Sequence, residues 1–237
     1  MSELVTPSGA IYTPSDLEVL RYAARVRFVA YNPQPFTLKS GVKSNVYVFG
    51  REDLTDYPGF EWLVGRKIAE LICKSVEAVD SRPCLIGIPT AGTALAQAAA
   101  MVSWREAIKT PSGHTICHRI MREALKQHGA HPDWVNGKPS RAHRYWLVDN
   151  VATDGRSKPE AREKLLASGY LAADESPPVF IFVDRQQGAV RRLQEAGFTK
   201  IVVAYNLLDA AFAFKEMGLW PGQVVEQVEE EIRAHQF

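Results

Sequence analysis

Arg144-Tyr145-Trp146-Leu147-Val148-Asp149-Asn150-Val151-Ala152-Thr153-Asp154-Gly155-Arg156-Ser157 changes character halfway along. Its first part carries an apolar run from Tyr145 to Val148, the pattern of a strand buried on both faces of a parallel sheet. Its second part is polar and holds a glycine. A helix is expected from about residue 158 to 168, opened by Lys158-Pro159-Glu160. In open α/β sheets, ligands bind just beyond the carboxyl ends of such strands. A helix starting there offers unpaired backbone N–H groups and the positive end of its dipole to an anion. Thr153, Gly155 and Ser157 suit a loop that closes round a phosphate. Asp149 stands where a carboxylate accepts hydrogen bonds from sugar hydroxyls.

Outward from this stretch, strands and helices alternate. Toward the N-terminus, residues 83–88 read as a short buried strand feeding Pro89-Thr90-Ala91-Gly92-Thr93 and an Ala-rich helix over 94–101. The turn is not a Walker A loop, because Thr93-Ala94 follows Gly92 where that loop needs Lys-Ser/Thr. Backbone geometry alone also explains its glycines. Residues 60–72 place Phe60, Leu63, Val64, Ile68, Leu71 and Ile72 on one helix face, a core pattern. Ser15-Asp16-Leu17-Glu18 reads as a capping box for a helix reaching Ala24 or Phe28, stopped by Pro33 and Pro35. A turn, Lys39-Ser40-Gly41-Val42-Lys43-Ser44, and a strand over 45–49 follow. Toward the C-terminus come a buried strand over 178–183 ending at Asp184-Arg185, a helix over 187–196, a strand over 200–205, a helix over 209–217 and a last helix begun by Pro221. Val224, Val225, Val228 and Ile232 give that helix its apolar stripe, and Glu229-Glu230-Glu231 reads as a solvated face. The alternation predicts one parallel α/β domain over 1–237, with residues 1–50 forming a hood.

A strand is expected over 115–120, and the long polar segment after it, 121–143, stands out. A loop of that length inside a domain is usually functional or disordered. Between Arg119 and Arg144 the bases are Arg119, Arg122, Lys126, Lys138, Arg141 and Arg144, against the acids Glu123 and Asp133. A basic mobile loop beside an anion site is what a lid over a polyphosphate requires. Five of the six histidines lie in or beside this segment. His114 and His118 fall in a strand-like run, where four-residue spacing does not converge on one point, so no zinc site is expected there.

Composition excludes several classes. With 46% apolar and 23% charged residues, the chain reads as soluble and globular. A net charge of +1 gives no basis for a nucleic-acid or membrane surface. The N-terminus lacks the basic and apolar regions of a signal peptide, and no apolar run reaches membrane-spanning length. Cys73, Cys84 and Cys117, odd in number and far apart, read as buried thiols of a reducing, cytoplasmic compartment, neither a disulfide frame nor a zinc site.

The stretch at 144–157 resembles the PRPP-binding signature of type I phosphoribosyltransferases. Phe36-Thr37-Leu38-Lys39-Ser40-Gly41, Gly87-Ile88-Pro89-Thr90-Ala91-Gly92 and Val183-Asp184-Arg185-Gln186-Gln187-Gly188, in that order, are similar to the orotate phosphoribosyltransferases. The resemblance covers roughly residues 36–205. It implies the type I phosphoribosyltransferase fold, a central parallel sheet flanked by helices under a small N-terminal hood. It also implies transfer of phosphoribose from PRPP to orotate in pyrimidine synthesis. Mg²⁺ is the implied cofactor, with no direct protein ligand, and a homodimer shares the lid across subunits. For catalysis it implies Asp149, Asn150 and Asp154, with Lys126 and His128 from the lid. For PRPP it implies Lys39, Thr90, Ala91, Arg122, Ala152, Thr153, Gly155, Arg156 and Ser157. For orotate it implies Lys39, Tyr47, Thr153 and Arg185, the arginine pairing with the carboxylate.

The chain departs from the family pattern at three places. Asn150 stands where an acid is usual, Asp154 where Thr or Ala precedes the glycine, and Glu123 where the lid has a lysine. Two alternatives therefore stay open: a PRPP- or nucleotide-binding regulator without turnover, and an enzyme for another base. The latter would need Arg185 to serve as a structural ion-pair partner.

Overall fold

The computed structural model describes residues 2–38, 41–48, 55–77, 81–124, 134–153 and 155–236. The chain opens with a small antiparallel ribbon, β1 (Leu4–Val5) and β2 (Ile11–Tyr12), too short to show an alternation in sequence. Helix α1 (Pro14–Arg25) is capped by Thr13, two residues before the predicted Ser15. The Thr13 hydroxyl accepts the Asp16 N–H at 3.3 Å, and the Asp16 carboxylate accepts the Thr13 N–H at 3.0 Å. Pro14 suits the first helical position, which fixes the start there. The helix ends at Arg25; Arg27 takes a positive φ of 60° and turns Phe28 into the core.

Strands β3 (Val29–Thr37) and β4 (Lys43–Val48) form a separate antiparallel hairpin. Pro33 and Pro35 lie inside β3, where they were expected only to stop a helix. The register slips between Tyr31 and Phe36, an irregularity that tolerates residues without an N–H. The remaining elements are α2 (Pro58–Ser75), β5 (Arg82–Gly87), α3 (Ala91–Arg105), β6 (Cys117–Ile120), β7 (His143–Ala152), α4 (Ser157–Ala167), β8 (Val179–Asp184), α5 (Ala189–Glu195), β9 (Ile201–Asn206), α6 (Leu207–Glu216) and α7 (Gln223–Ala234).

Five parallel strands form the central sheet in the order β6-β5-β7-β8-β9. Their side chains alternate between two apolar layers. Leu85, Trp146, Val148, Phe180 and Phe182 pack with residues of α1, α2, α3, α6 and α7, such as Leu17, Phe60, Leu95, Phe214 and Val224. Cys84, Ile86, Tyr145, Leu147 and Ile181 pack with residues of α4 and α5, such as Leu165 and Leu193. Burial on both faces is why these strands read as unbroken apolar runs. Each fully buried Phe contributes roughly 2–3 kcal/mol of transfer free energy.

The strand order places the site. From β5 the chain steps outward to β6, then returns across β5 to β7 on the other side. The crevice between β5 and β7 is therefore the switch point, where the two following turns diverge and leave a cleft.

Candidate active site

A cavity of about 820 Å³ opens there. Asp149 and Asn150 line it at the end of β7. Ile88, Pro89, Thr90 and Ala91 line it from the β5–α3 turn. Thr153, Gly155, Arg156, Ser157 and Lys158 line it from the β7–α4 turn. Thr37, Leu38, Tyr47 and Val48 face it from the hairpin.

The β5–α3 turn is pressed against β7. A Cβ on Gly87 would lie 2.1 Å from the Gly92 carbonyl oxygen, and one on Gly92 would lie 2.3 Å from that of Val148. Neither position accepts a side chain, so the backbone explanation for both glycines holds. The turn faces the cavity as well. The Ile88 N–H donates to the Val148 carbonyl at 2.8 Å, and the Pro89–Thr90 peptide is cis. No side chain caps α3; the Thr90 hydroxyl lies 3.3 Å from a Glu123 carboxylate oxygen instead.

In the β7–α4 turn, Gly155 adopts a φ of +76°, a conformation that favours glycine. Among the described residues no side chain caps α4, so its first N–H groups lack that partner there. The Asp149 Oδ1 accepts the Asn150 N–H at 2.9 Å, and its Oδ2 accepts from the Lys158 ammonium at 2.5 Å. Lys158 is only 2% exposed. Burial pushes the Asp184 carboxyl up; the Gln186 N–H and the Lys158 charge pull it partly back. Lys158 is the cavity-lining residue that motif reading missed. Its signal was electrostatic: a lysine in the first turn of a helix opposes the dipole and needs a nearby anion to be tolerated.

Other expected positions differ. Ala152 does not line the cavity. Its side chain is fully buried in the core, and its carbonyl accepts the Arg185 N–H at 3.0 Å. Arg122 does not line it either; its Nε donates to the Trp134 carbonyl at 3.2 Å. It thereby ties residue 122 to residue 134, where Met121 bridges Trp134 and the Val135 N–H reaches the Ile120 carbonyl at 2.9 Å. Lys164 lines the cavity and donates to the carbonyls of Arg122 and Glu123, each at 3.1 Å. Tyr47 is 37% exposed, lines the cavity and packs edge-on to Phe36 at 4.9 Å. Lys39, Lys126, His128 and Asp154 lie outside the described residues.

Arg185 lines the cavity but is otherwise engaged. It is 1% exposed. Its Nη1 donates to the Val46 carbonyl at 2.9 Å, and its Nη2 to the Ser44 hydroxyl at 2.8 Å and to a Glu231 carboxylate oxygen at 2.6 Å. Gln187 donates to the same Glu231 oxygen at 3.0 Å. The expected open guanidinium is thus an ion-pair partner that fastens β4 to α7, and Glu231 belongs to a buried network instead of a solvated face. Of the Arg185 nitrogens, the Nε is buried without a hydrogen-bond partner among the described residues, as is the Gln187 Oε1.

No family model matches the chain. An orotate phosphoribosyltransferase of Cenarchaeum symbiosum (strain A) is 32% identical over 196 residues, spanning 82% of this chain and 88% of that protein. The chain belongs to the orotate phosphoribosyltransferase family. Another orotate phosphoribosyltransferase, from Bradyrhizobium sp. (strain ORS 278), is 31% identical over 166 residues, spanning 69% of this chain and 81% of its own. The crystal structure of the orotate phosphoribosyltransferase of Francisella tularensis shares the fold. It matches with a TM-score of 0.65 at 19% identity, covering 93% of this chain and 100% of that one. In this member of the orotate phosphoribosyltransferase family, the type I phosphoribosyltransferase fold brings the β5–α3 and β7–α4 turns to one cleft.

Proposed function

We propose that the chain transfers the phosphoribosyl group of PRPP to orotate, giving orotidine 5′-monophosphate and pyrophosphate. The observation that supports this best is the cavity at the switch point, faced by two helix starts without a side-chain cap among the described residues and by the Asp149–Asn150 pair. The bond from ribose C1 to the pyrophosphate oxygen breaks, and a bond from C1 to an orotate ring nitrogen forms. The β7–α4 turn, through Thr153, Gly155, Arg156 and Ser157, holds the 5′-phosphate. Asp149, oriented by Lys158, accepts hydrogen bonds from the ribose hydroxyls, and Asn150 assists as a neutral partner. Thr90 and Ala91 face the pyrophosphate. Orotate lies under the hairpin beside Tyr47, with Arg185 at the margin and Lys39 assigned as its cationic contact. Lys126 and His128 are assigned to the pyrophosphate, and Asp154 to the charge that Asn150 lacks.

The donor set fits Mg²⁺. Glu123, Asp149 and Glu160 bring hard carboxylate oxygens to the cavity, and Mg²⁺ keeps most of its waters and takes few protein ligands. When bound, it would neutralise the leaving pyrophosphate, with Asp149 and Asn150 hydrogen-bonding its waters. A homodimer belongs to the same proposal: Arg122 does not line its own chain's cavity, as expected of a lid that serves a neighbour. So does a cytoplasmic setting, which suits three free thiols.

The Arg185–Glu231 pair favours a second reading, the same transfer to a base without a carboxylate. The test is turnover with Mg²⁺, PRPP and either orotate or a panel of other bases, following base absorbance and pyrophosphate. Consumption of orotate in preference supports the first reading. Consumption of another base supports the second. PRPP binding with no base consumed would overturn both and leave a binder without turnover.

A further inference from the structure

At the amino ends of the strands, away from the cavity, three side chains that no step above uses come together. β5 pairs with β6 at Cys84↔Cys117, and with β7 at Arg82↔His143 and Cys84↔Tyr145. Because side chains alternate along a strand, Cys84, Cys117 and His143 share one face of three adjacent strands. One ligand atom from each lies within 4.8 Å of those of the other two. Cys84 is fully buried, while Cys117 and His143 are half-buried. The His143 Nδ1 is buried and has no hydrogen-bond partner among the described residues. Neither sulfur is in a disulfide.

We propose that Cys84, Cys117 and His143 form a zinc-binding site. Two thiolates and an imidazole are a donor set typical of zinc. Tetrahedral zinc with ordinary bond lengths holds its ligand atoms roughly 3.5–3.8 Å apart, so the cluster needs to close by only about 1 Å. Binding releases the two thiol protons, and the two thiolates cancel the ion's charge. The site is then neutral overall, which suits its burial. The half-buried side of the cluster leaves the fourth position to water. The ion would tie the four-residue edge strand β6 to β7 across β5. Since β6 runs directly into Met121 at the base of the lid segment, the site anchors that base from the far end of the strand.

The test uses untagged full-length protein, reduced and freed of metal with a chelator, then titrated with Co²⁺ and afterwards with Zn²⁺. The expected result is one Co²⁺ per chain, with a thiolate-to-cobalt charge-transfer band and the intense visible absorption of four-coordinate cobalt. One equivalent of Zn²⁺ erases both and raises the melting temperature. Cys117→Ser and His143→Ala lose the cobalt bands while keeping the metal-free melting temperature and circular dichroism of the parent. Cys73→Ser keeps the bands, because Cys73 lies in the opposite core layer. Cys84 is fully buried and its replacement risks misfolding, so the test rests on the two half-buried ligands. Absence of a thiolate band in the reduced parent would overturn the proposal. So would a band that survives in Cys117→Ser, or a Cys84–Cys117 disulfide forming with no cobalt uptake after its reduction.

Discussion

Asp149 and its two neighbours in space set the charge at this end of the cavity, where the ribose is proposed to lie. The Asp149 carboxylate is matched by Lys158 at 2.5 Å, and Asn150 is neutral, so the three together present no net charge. A carboxylate ~4 Å from a developing cation stabilises it by up to roughly 4 kcal/mol at an effective dielectric near 20. Asn150→Asp is therefore expected to raise kcat by about tenfold or more, with KM for PRPP little changed; steady-state kinetics checks this. An unchanged kcat would mean the charge is already supplied from elsewhere. Lys158→Met should strand a buried carboxylate and cost about 3–5 kcal/mol of stability, measured by denaturant unfolding. Adding Asp149→Asn to that variant should recover most of the loss, because the unpaired charge is then gone. If the single variant is as stable as the parent, the pair is not what holds Asp149.

Among the elements, the hairpin of β3 and β4 is held over the cavity by Arg185. It reaches from the end of β8 to Ser44 and Val46 on β4 and to Glu231 on α7. One guanidinium therefore joins three elements far apart in sequence. Glu231→Ala removes its counter-charge and should destabilise the fold by roughly 3–5 kcal/mol, as breaking a buried pair does. It should also raise KM for orotate, because the hairpin that carries Tyr47 loses an anchor. Thermal melts and orotate saturation curves measure the two effects. A fall in KM would instead show that the released guanidinium is the partner of the orotate carboxylate. The motif at 183–188 marked Arg185 as important but not as engaged. Its counter-ion lies 46 residues away, on a helix face whose acid run looked solvated.

For the whole molecule, the strand order β6-β5-β7-β8-β9 produces the cleft, and ligand binding there should stabilise the entire fold. PRPP with Mg²⁺ at a hundredfold excess over Kd should add about 2.7 kcal/mol. For a chain of this size that is a rise of roughly 5–10 °C in melting temperature, readable by calorimetry. Pyrophosphate with Mg²⁺ should give a smaller rise, since it is proposed to engage only the β5–α3 side. No shift with PRPP would remove the assignment of the β7–α4 turn to phosphate.

The sequence by itself determined the alternation of strands and helices, the apolar runs of β5, β7, β8 and β9, and the two turns that meet at the cleft. These are local signals: a strand buried on both faces must be apolar throughout, and a turn that presents backbone to an anion must carry glycine and small polar residues. Helix ends were less legible, as at Thr13, because neighbouring residues compete for the cap and proline arbitrates. Only the tertiary structure decided the pairing of Lys158 with Asp149, the engagement of Arg185 by Glu231, the removal of Ala152 and Arg122 from the cavity wall, and the convergence of Cys84, Cys117 and His143. Each depends on which strands lie side by side or which helix crosses which strand end. That is set by the packing of two whole apolar layers and leaves no mark in the spacing of the residues along the chain.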